Sequence, residues 1–478
     1  MAVGRATNGA MALNISGTVV TALKRANRVV VITGAGISAE SGIPTFRGAG
    51  GLWRTYKAED LATAQAFARD PRLVWEWYDW RRGLCAKAEP NAAHRVVAAM
   101  ERFYHHFTLV TQNVDGLHGR AGSRRMVEVH GSVWRGRCAS CGAEVALEQT
   151  PLAEFPPKHE GCGGTLRPAV VWFGENYEPA MLEQTFAAAE QAQLVLVVGT
   201  SGGVSLPVDL VVQARQAGAT VIEINTERSA VSRVAHERLE GKAGEILPEL
   251  WRRAQLSYLA DEIETCARHR DGRLMVGIAG PPGAGKSALA EALVEEFRNE
   301  VVYVPMDGFH FNNARLAALG MIACKGAPET FDRLAFELAV GELRKAAGPV
   351  KLPVYSRELH EPVPEALTVE TETPIVIVEG NYLFVWPEVQ GKLDLCIYLD
   401  CDEALAREDL IARHQRGGFN AAAAVRKYET NDRLNRETIE AARGAAQVAV
   451  RRDAAGWTVV RVDEGAAEPG PGNTGKGA

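Results

Sequence analysis

The sequence predicts an α/β protein made of two successive parallel-sheet domains, and three observations carry that prediction. Apolar, β-branched runs ending in Gly or Asp recur along the chain, each followed by a helical pattern: NRVVVITGAG, HFTLVTQNVDG, AQLVLVVGTSGG, ATVIEINTE, then LMVGIAGPPG, VVYVPMDGF, TPIVIVEGN and LCIYLDCD. Strands alternating with helices, and strands apolar on both faces, read as buried parallel sheets. The first four runs precede Trp251 and the last four follow Leu274, and 478 residues are too many for one ordinary core.

Between the two sets lies a charged helical stretch, RRAQLSYLADEIETCARHRDGR, expected to link them. The expected layout is a first domain over 12–253, a linking helix over 254–272 and a second domain over 273–464. From Gly465 the segment GAAEPGPGNTGKGA is too poor in apolar side chains to offset ordering entropy and reads as a disordered tail over 465–478. No repeat at a fixed period appears, so the halves suggest fusion, not duplication.

Composition is that of an ordinary globular protein, 46% hydrophobic and 23% charged, with no apolar stretch long enough for a transmembrane helix. A formal net charge of −6 argues against broad binding to nucleic acid. The N-terminal residues lack the unbroken apolar core of a secretion signal, so a cytoplasmic protein is expected. Of eight cysteines, Cys138, Cys141 and Cys162 cluster and the rest are scattered, which suggests a metal site plus reduced thiols.

In the first half, VVVITGAGISAESGIPTFRG sets a glycine turn after a buried strand, where backbone can approach a pyrophosphate and a helix N-terminus can favour its charge. Alone this is equally compatible with a plain strand-to-helix turn, because Ala39 stands where the third glycine of a Rossmann fingerprint belongs. A longer series of blocks settles the reading. GAGISAESGIPTFRG (Gly34 to Gly48), TQNVDGLH (Thr111 to His118), VEVHGS (Val127 to Ser132), a split cysteine cluster, LRPAVVWFGE (Leu166 to Glu175), VGTS (Val198 to Ser201) and IEIN (Ile222 to Asn225) together resemble the sirtuins.

That resemblance implies a Rossmann-like NAD-dependent protein deacylase acting on acyl-lysine proteins, and it assigns roles. His130 is the expected base that removes a ribose hydroxyl proton, a task suited to a group with a free pKa near 6.5; Asn113 is its catalytic companion. Gly34, Ala35, Gly36, Ile37, Gln112, Asn113 and Asp115 would hold the cofactor's phosphates, ribose and nicotinamide side. Phe46 and Arg47 match a mobile cofactor loop, and Gly199, Thr200, Ser201, Asn225, Thr226, Glu227 and Ala243 match phosphate, adenosine-ribose and adenine contacts. Val171, Trp172 and Phe173 match the segment that pairs with a substrate peptide as an added strand. Retention of both Asn113 and His130 favours deacylation over a rival transfer of ADP-ribose to protein.

Zinc is implied by Cys138 and Cys141, then seventeen residues, then His159 and Cys162, in a module near 134–168. The family usually has Cys where His159 stands. Three thiolates and one imidazole remain a normal zinc set, so an intact structural site is expected.

In the second half GPPGAGKS (Gly280 to Ser287) follows an apolar strand and precedes a helical pattern, the context of a P-loop. Gly280, Gly283 and Gly285 shape the loop, Lys286 reaches the β- and γ-phosphates of ATP, and Ser287 binds Mg²⁺. Asp307 and Glu379 end apolar strands, where ligands of parallel sheets bind. Asp307 could take a proton from an attacking hydroxyl and Glu379 could position Mg²⁺ or the acceptor, although each could instead cap a turn. With DGFH (Asp307 to His310), the PVYSR segment (Pro353 to Arg357), VEGNYL and an arginine-rich stretch (Arg407, Arg413, Arg416), this half resembles the uridine kinase, phosphoribulokinase and pantothenate kinase superfamily. A P-loop kinase of a small hydroxyl-bearing metabolite is implied. The rival is a domain that only senses nucleotide; Asp307, which a sensor has no need of, discriminates against it.

Finally, WEWYDWRR (Trp75 to Arg82) follows an Asp-Pro turn. Tyr78 and Arg81, three apart on a helix, share a face, which by spacing alone also suits an amphipathic surface helix. With LAT (Leu61 to Thr63), the segment resembles the sirtuin class that removes succinyl and malonyl groups, where a matching Tyr and Arg line the acyl pocket.

Overall fold

A computed structural model describes residues 14–44, 61–297 and 300–460. The chain divides into two compact units, one over residues 1–254 with 454–456 and one over residues 255–453 with 457–478. Phe46, Arg47 and the tail expected from Gly465 lie outside the described residues.

The first unit is built on a six-stranded sheet containing β1 (Arg28–Thr33), β2 (His106–Thr111) and β3 (Met126–Glu128). After an excursion through β4 (Gly131–Cys138), β5 (Glu144–Ala146) and β6 (Leu166–Val170), the sheet is completed by β7 (Leu194–Val198), β8 (Thr220–Asn225) and β9 (Glu237–Glu240). Strand order is β3-β2-β1-β7-β8-β9, and every pair is parallel. All five residues of β7 and five of the six in β1 are buried, as a sheet covered on both faces requires. The chain winds outward from β1 to β3, then returns to β7 on the other side of β1. The crevice past the carboxyl ends of β1 and β7 is therefore a topological switch point, where ligands of such sheets bind.

The excursion forms a separate three-stranded sheet, β5-β4-β6, with both neighbours antiparallel to β4. The helix Pro71–Lys87 packs there: Trp75, Tyr78, Val133, Cys138, Leu166 and Trp172 share one apolar cluster. Asp70 caps that helix by accepting from the Leu73 amide at 3.0 Å, and Pro71 follows at its first position, where a missing N–H costs nothing. The charged stretch expected as a link lies within a longer helix, Ala243–Arg268, whose first turns bury Leu247, Leu250 and Trp251 in the core of the first unit.

The second unit has its own six-stranded sheet. Its strands are β10 (Leu274–Ala279), β11 (Val301–Pro305), β14 (Ile375–Gly380), β15 (Leu395–Cys401), β16 (Val448–Asp453) and β17 (Gly456–Val460), in the order β11-β14-β10-β15-β16-β17. Central β10 and β14 are buried at every residue. The remaining strands, β12 (Val350–Ser356) and β13 (Glu361–Val369), form an antiparallel ribbon. Among the described residues, no helix is long and apolar enough to cross a membrane.

Candidate active sites

At the first switch point the segments after β1 and β7 meet backbone to backbone. The Gly34 amide donates to the Val198 carbonyl (3.0 Å) and the Gly36 amide to the Gly199 carbonyl (2.8 Å). A Cβ on Gly34 would lie 2.9 Å from Thr200 Cα, and one on Gly36 would lie 2.7 Å from Gly199 Cα. Gly199 itself sits at φ +63°, the left-handed region that favours glycine. The sequence assigns these glycines to a close approach of pyrophosphate; in the fold they also let the second loop pack backbone to backbone. The element after Gly34 is a 3₁₀ helix, Ala35–Ser41. Ile37 is fully buried within the unit's core.

Several residues expected to hold the cofactor fall into two hydrogen-bonded groups. Gln112 Nε2 donates to Thr200 Oγ1 (2.9 Å), and Asn225 Nδ2 donates to the Thr200 carbonyl (2.8 Å). Asn113 Nδ2 donates to Ser38 Oγ (3.1 Å), which donates in turn to Asp115 Oδ2 (2.7 Å). Burial raises the Asp115 carboxyl, opposed by the Leu117 amide and the Ser38 hydroxyl. Ala243 is buried at the start of its helix, tied to the 3₁₀ segment by the Gly244 amide donating to Glu40 Oε2 (2.7 Å). Ser201, Thr226 and Glu227 are exposed. A cavity lined by Ala35, Ser38, Arg81, Asn113 and Asp115 opens at this point. This cavity, lined by Ser38, Asn113 and Asp115 beside the first glycine loop, lies at the switch point where nucleotides bind to such sheets.

His130 is bonded on both ring nitrogens: Nδ1 to the Gln112 carbonyl (3.0 Å) and Nε2 to the Tyr177 hydroxyl (3.1 Å). Burial lowers its pKa and thereby favours the neutral ring a base requires. Two further imidazoles, which the sequence reading passed over, lie beneath the cofactor residues. His94 is held down to about 4 by burial, and His118 is also lowered by burial. His94 Nε2 lies 3.3 Å from Ser38 Oγ, inside the same network.

The expected peptide segment differs from a free strand edge. The Val171 amide donates to the His130 carbonyl (3.0 Å), the Trp172 amide to Glu175 Oε2 (2.9 Å) and the Phe173 amide to the Ala62 carbonyl (3.0 Å). Strand pairing through these amides would have to exchange those bonds. Trp172 is buried under Arg167, whose guanidinium lies 3.6 Å from its ring centroid, while Phe173 is exposed. Tyr78 and Arg81 are both buried, so the bland reading of a surface helix does not hold. Their settings differ, however. Arg81 lines the cavity, its guanidinium 5.7 Å from the Tyr78 ring centroid, whereas the Tyr78 hydroxyl accepts from Trp172 Nε1 (3.0 Å) and is absent from the lining.

The four expected metal ligands converge. Cys138, Cys141 and Cys162 Sγ and one ring nitrogen of His159 all lie within 4.8 Å of one another. His159 Nδ1 is 3.3 Å from Cys141 Sγ and 3.1 Å from Cys162 Sγ. Three sulfurs and one imidazole nitrogen at such spacing fit a closed tetrahedral zinc site, with every position filled by protein.

In the second unit the glycine loop follows β10, and Gly285, at φ +92°, begins the helix Lys286–Glu296. A Cβ on Gly280 would lie 2.2 Å from the Leu399 carbonyl oxygen, and the Gly283 carbonyl accepts from Arg452 (2.9 Å). Lys286 is buried; its Nζ donates to the Pro281 carbonyl (3.0 Å) and lies 4.0 Å from Glu379. Burial lowers Lys286 and raises Glu379, and their mutual attraction opposes both shifts. Glu379 Oε2 also accepts from Ser287 (3.3 Å) and from Tyr303 (2.8 Å), a residue on β11 that the sequence reading did not single out.

Asp307 lies in a short 3₁₀ turn just past β11, with its side chain 59% exposed. Gly308 packs against β12: a Cβ there would lie 2.2 Å from the Pro353 carbonyl oxygen. That contact joins the DGFH and PVYSR segments. His310, held down to about 4 by burial, stacks on Phe331 at 3.8 Å and lies 4.0 Å from Asp307. Of the arginine-rich stretch, Arg413 is within electrostatic reach of Lys286, whereas Arg407 pairs with Glu429 at 3.7 Å.

Comparison with known proteins fits this division. Residues 34–206 match the Sir2 family and residues 275–432 match the Phosphoribulokinase / Uridine kinase family. An NAD-dependent protein deacylase of Aquifex aeolicus is 50% identical over 223 residues, 47% of this chain and 93% of the relative. Another, from Thermococcus kodakarensis, is 50% identical over 239 residues, 49% of this chain and 93% of its own length. A solved structure described as a Sir2 homolog–NAD complex is 42% identical with a TM-score of 0.50, covering 52% of this chain and 96% of that one.

Proposed function

The chain is a member of the Sir2 family of NAD-dependent protein deacylases and carries a second domain of the Phosphoribulokinase / Uridine kinase family. On that premise we propose a bifunctional enzyme that removes acyl groups from protein lysines, with a preference for succinyl and malonyl, and phosphorylates a small hydroxyl-bearing metabolite. The observation that carries the first activity is the meeting of the two glycine loops, with Thr200 held by Gln112 and Ser38 tied to Asn113 and Asp115, near a His130 that burial shifts toward its neutral form.

NAD, when bound, supplies the ribose that receives the acyl group. The chain's own contribution follows from its geometry. The Gln112 carbonyl fixes hydrogen on Nδ1 of His130, so Nε2 is the atom that accepts the ribose hydroxyl proton. Asn113, Ser38 and Asp115 present oriented donors and acceptors to the cofactor, and Thr200 is held for the same task by Gln112 and Asn225. Arg81 supplies a buried cation in the cavity, suited to an acyl chain that ends in a carboxylate.

For the second activity the supporting observation is Glu379 held among Lys286, Ser287 and Tyr303, with exposed Asp307 nearby. ATP with Mg²⁺ supplies the transferable phosphoryl group. Lys286 and the loop amides neutralise and position phosphate oxygens, Ser287 and Glu379 orient the cation, and Asp307 accepts the acceptor hydroxyl's proton.

Two assays on the full chain test the two halves. Acetyl-, malonyl- and succinyl-lysine peptides incubated with NAD should release nicotinamide, faster for the acidic acyl groups. ATP with a panel of nucleosides, sugars and pantothenate should yield ADP with one acceptor class. Nicotinamide release independent of acyl-peptide would contradict the first activity, and ATP binding without any acceptor-dependent ADP would favour a nucleotide sensor.

A further inference from the structure

The hydrogen bond between His130 and Tyr177 has no part in the roles assigned above, yet it falls on the atom that matters most. The two groups that face the His130 ring are the Gln112 carbonyl, at the end of β2, and the Tyr177 phenol, from the segment between Phe173 and the helix Pro179–Gln191. No charged side chain among the described residues acts on it. A carbonyl can only accept, so Nδ1 carries the hydrogen and Nε2 the lone pair; Tyr177 therefore donates its O–H to Nε2. The rings lie nearly parallel, 16° apart with centroids at 6.0 Å. Tyr177 is anchored independently, packed on the apolar cluster that includes Val127 and Val129.

We propose that Tyr177 is a positioning residue for the base: its hydroxyl holds His130 Nε2 in the enzyme before cofactor binds, and the ribose hydroxyl takes its place there. This rests on the reading of His130 as the base. The exchange moves no covalent bond. Tyr177 keeps its proton, and Nε2 passes from one O–H donor to another, already aimed along the line from which it will take the ribose proton.

Only the neutral imidazole can accept at Nε2; the imidazolium has no lone pair there. The Tyr177 bond therefore favours the neutral ring, and removing the hydroxyl makes His130 easier to protonate in the free enzyme. The pH dependence of kcat/KM reports the free enzyme and that of kcat the enzyme with substrates bound. Tyr177→Phe, which keeps the ring, should move the acid limb of kcat/KM to higher pH, by up to about one unit for a single hydrogen bond. The acid limb of kcat should stay, because the ribose hydroxyl already stands in for Tyr177 there.

The experiment is a pair of pH profiles on the full chain, wild type and Tyr177→Phe, with an acyl-lysine peptide and NAD. A shift in kcat/KM alone supports the proposal, and Tyr177→Leu should reproduce its direction. An unmoved kcat/KM limb, or equal shifts in both profiles as from a general structural change, overturns it. Deacylation undiminished in His130→Gln would instead strike the underlying assignment of the base, whatever Tyr177→Phe does.

Discussion

His130 and Asp307 stand in equivalent positions, each just past the end of a parallel strand region, and the protein surrounds them in opposite ways. In the first unit, burial sets the protonation state. His130, His94 and His118 are all shifted toward the neutral form, and the Asp115 carboxyl is pushed toward its protonated form. In the second, burial also lowers Lys286 and raises Glu379, but the two groups face each other at 4.0 Å and their attraction opposes both shifts, while Asp307 stays mostly in water. The difference follows from the chemistry each site faces. A base for a ribose hydroxyl must be neutral near pH 7, whereas phosphoryl transfer needs fixed charges around phosphate and Mg²⁺.

The largest expected effects separate the two sites. His130→Ala should cut deacylation by about 10²–10⁴-fold, the usual worth of a positioned acid or base, and leave ATP-dependent phosphoryl transfer unchanged. Lys286→Ala and Asp307→Asn should do the reverse, as expected for sites in separately built domains. Steady-state assays of both reactions on each variant check this. A folded Asp307→Asn protein with a comparable loss of deacylation would break the separation and show coupled sites.

Metal removal should sharpen the contrast, because the four-ligand cluster belongs to the first unit alone. One zinc per chain is expected by elemental analysis, and His159→Ala should lower that to well under one equivalent, while His159→Cys keeps it. Loss of zinc should destabilise the deacylase unit and spare ATP binding by the other. Full metal retention in His159→Ala would remove His159 from the ligand set.

How much of this was legible in the sequence depends on the range of the signal. All eight apolar runs are strands, because burial on both faces writes itself into consecutive residues. The P-loop and the cysteine knuckles were legible for the same reason, since their ligands are local. What failed to show is long-range. Tyr177 reaches His130 across 47 positions and Tyr303 reaches Glu379 across 76, and neither leaves a periodic trace. For Gly34 and Gly36 a turn motif shows that a side chain is excluded, but not that the loop after β7 is one of the neighbours that excludes it. The short strands β3, β5 and β9 carry too few apolar residues to announce themselves. Tyr78 was paired with Arg81 by helical spacing, and spacing cannot say that its hydroxyl is engaged by Trp172.

Arg81 is the exception in a site otherwise tuned to neutrality, a buried guanidinium whose charge is opposed by desolvation. Its expected use is a charge-assisted bond to an acidic acyl group, worth about 1.5–3 kcal/mol. Arg81→Met should therefore lower kcat/KM for succinyl- and malonyl-peptides by about one to two orders of magnitude and spare acetyl removal. Equal losses on acetyl and succinyl peptides would make Arg81 a structural residue.

The smallest effect concerns stability, and its sign follows from the direction of the His94 shift. Its folded-state pKa, about 4, lies below the ordinary value of 6.5 because burial excludes the charged form. The unfolded chain thus binds a proton that the folded chain refuses, and stability falls as pH drops from about 6.5 toward 4, at about 1.4 kcal/mol per pH unit. Other groups contribute to the pH dependence of stability as well, so the test is a difference between proteins. His94→Gln keeps a polar side chain near Asn91 and Ser38 and removes the titration. Denaturant melts of the first unit's transition at pH 6.5, 5.5 and 4.5 should show the variant losing less stability than the wild type at each step. Parallel pH dependence in the two proteins would mean that His94 takes up its proton in the fold, and that burial does not hold this network neutral.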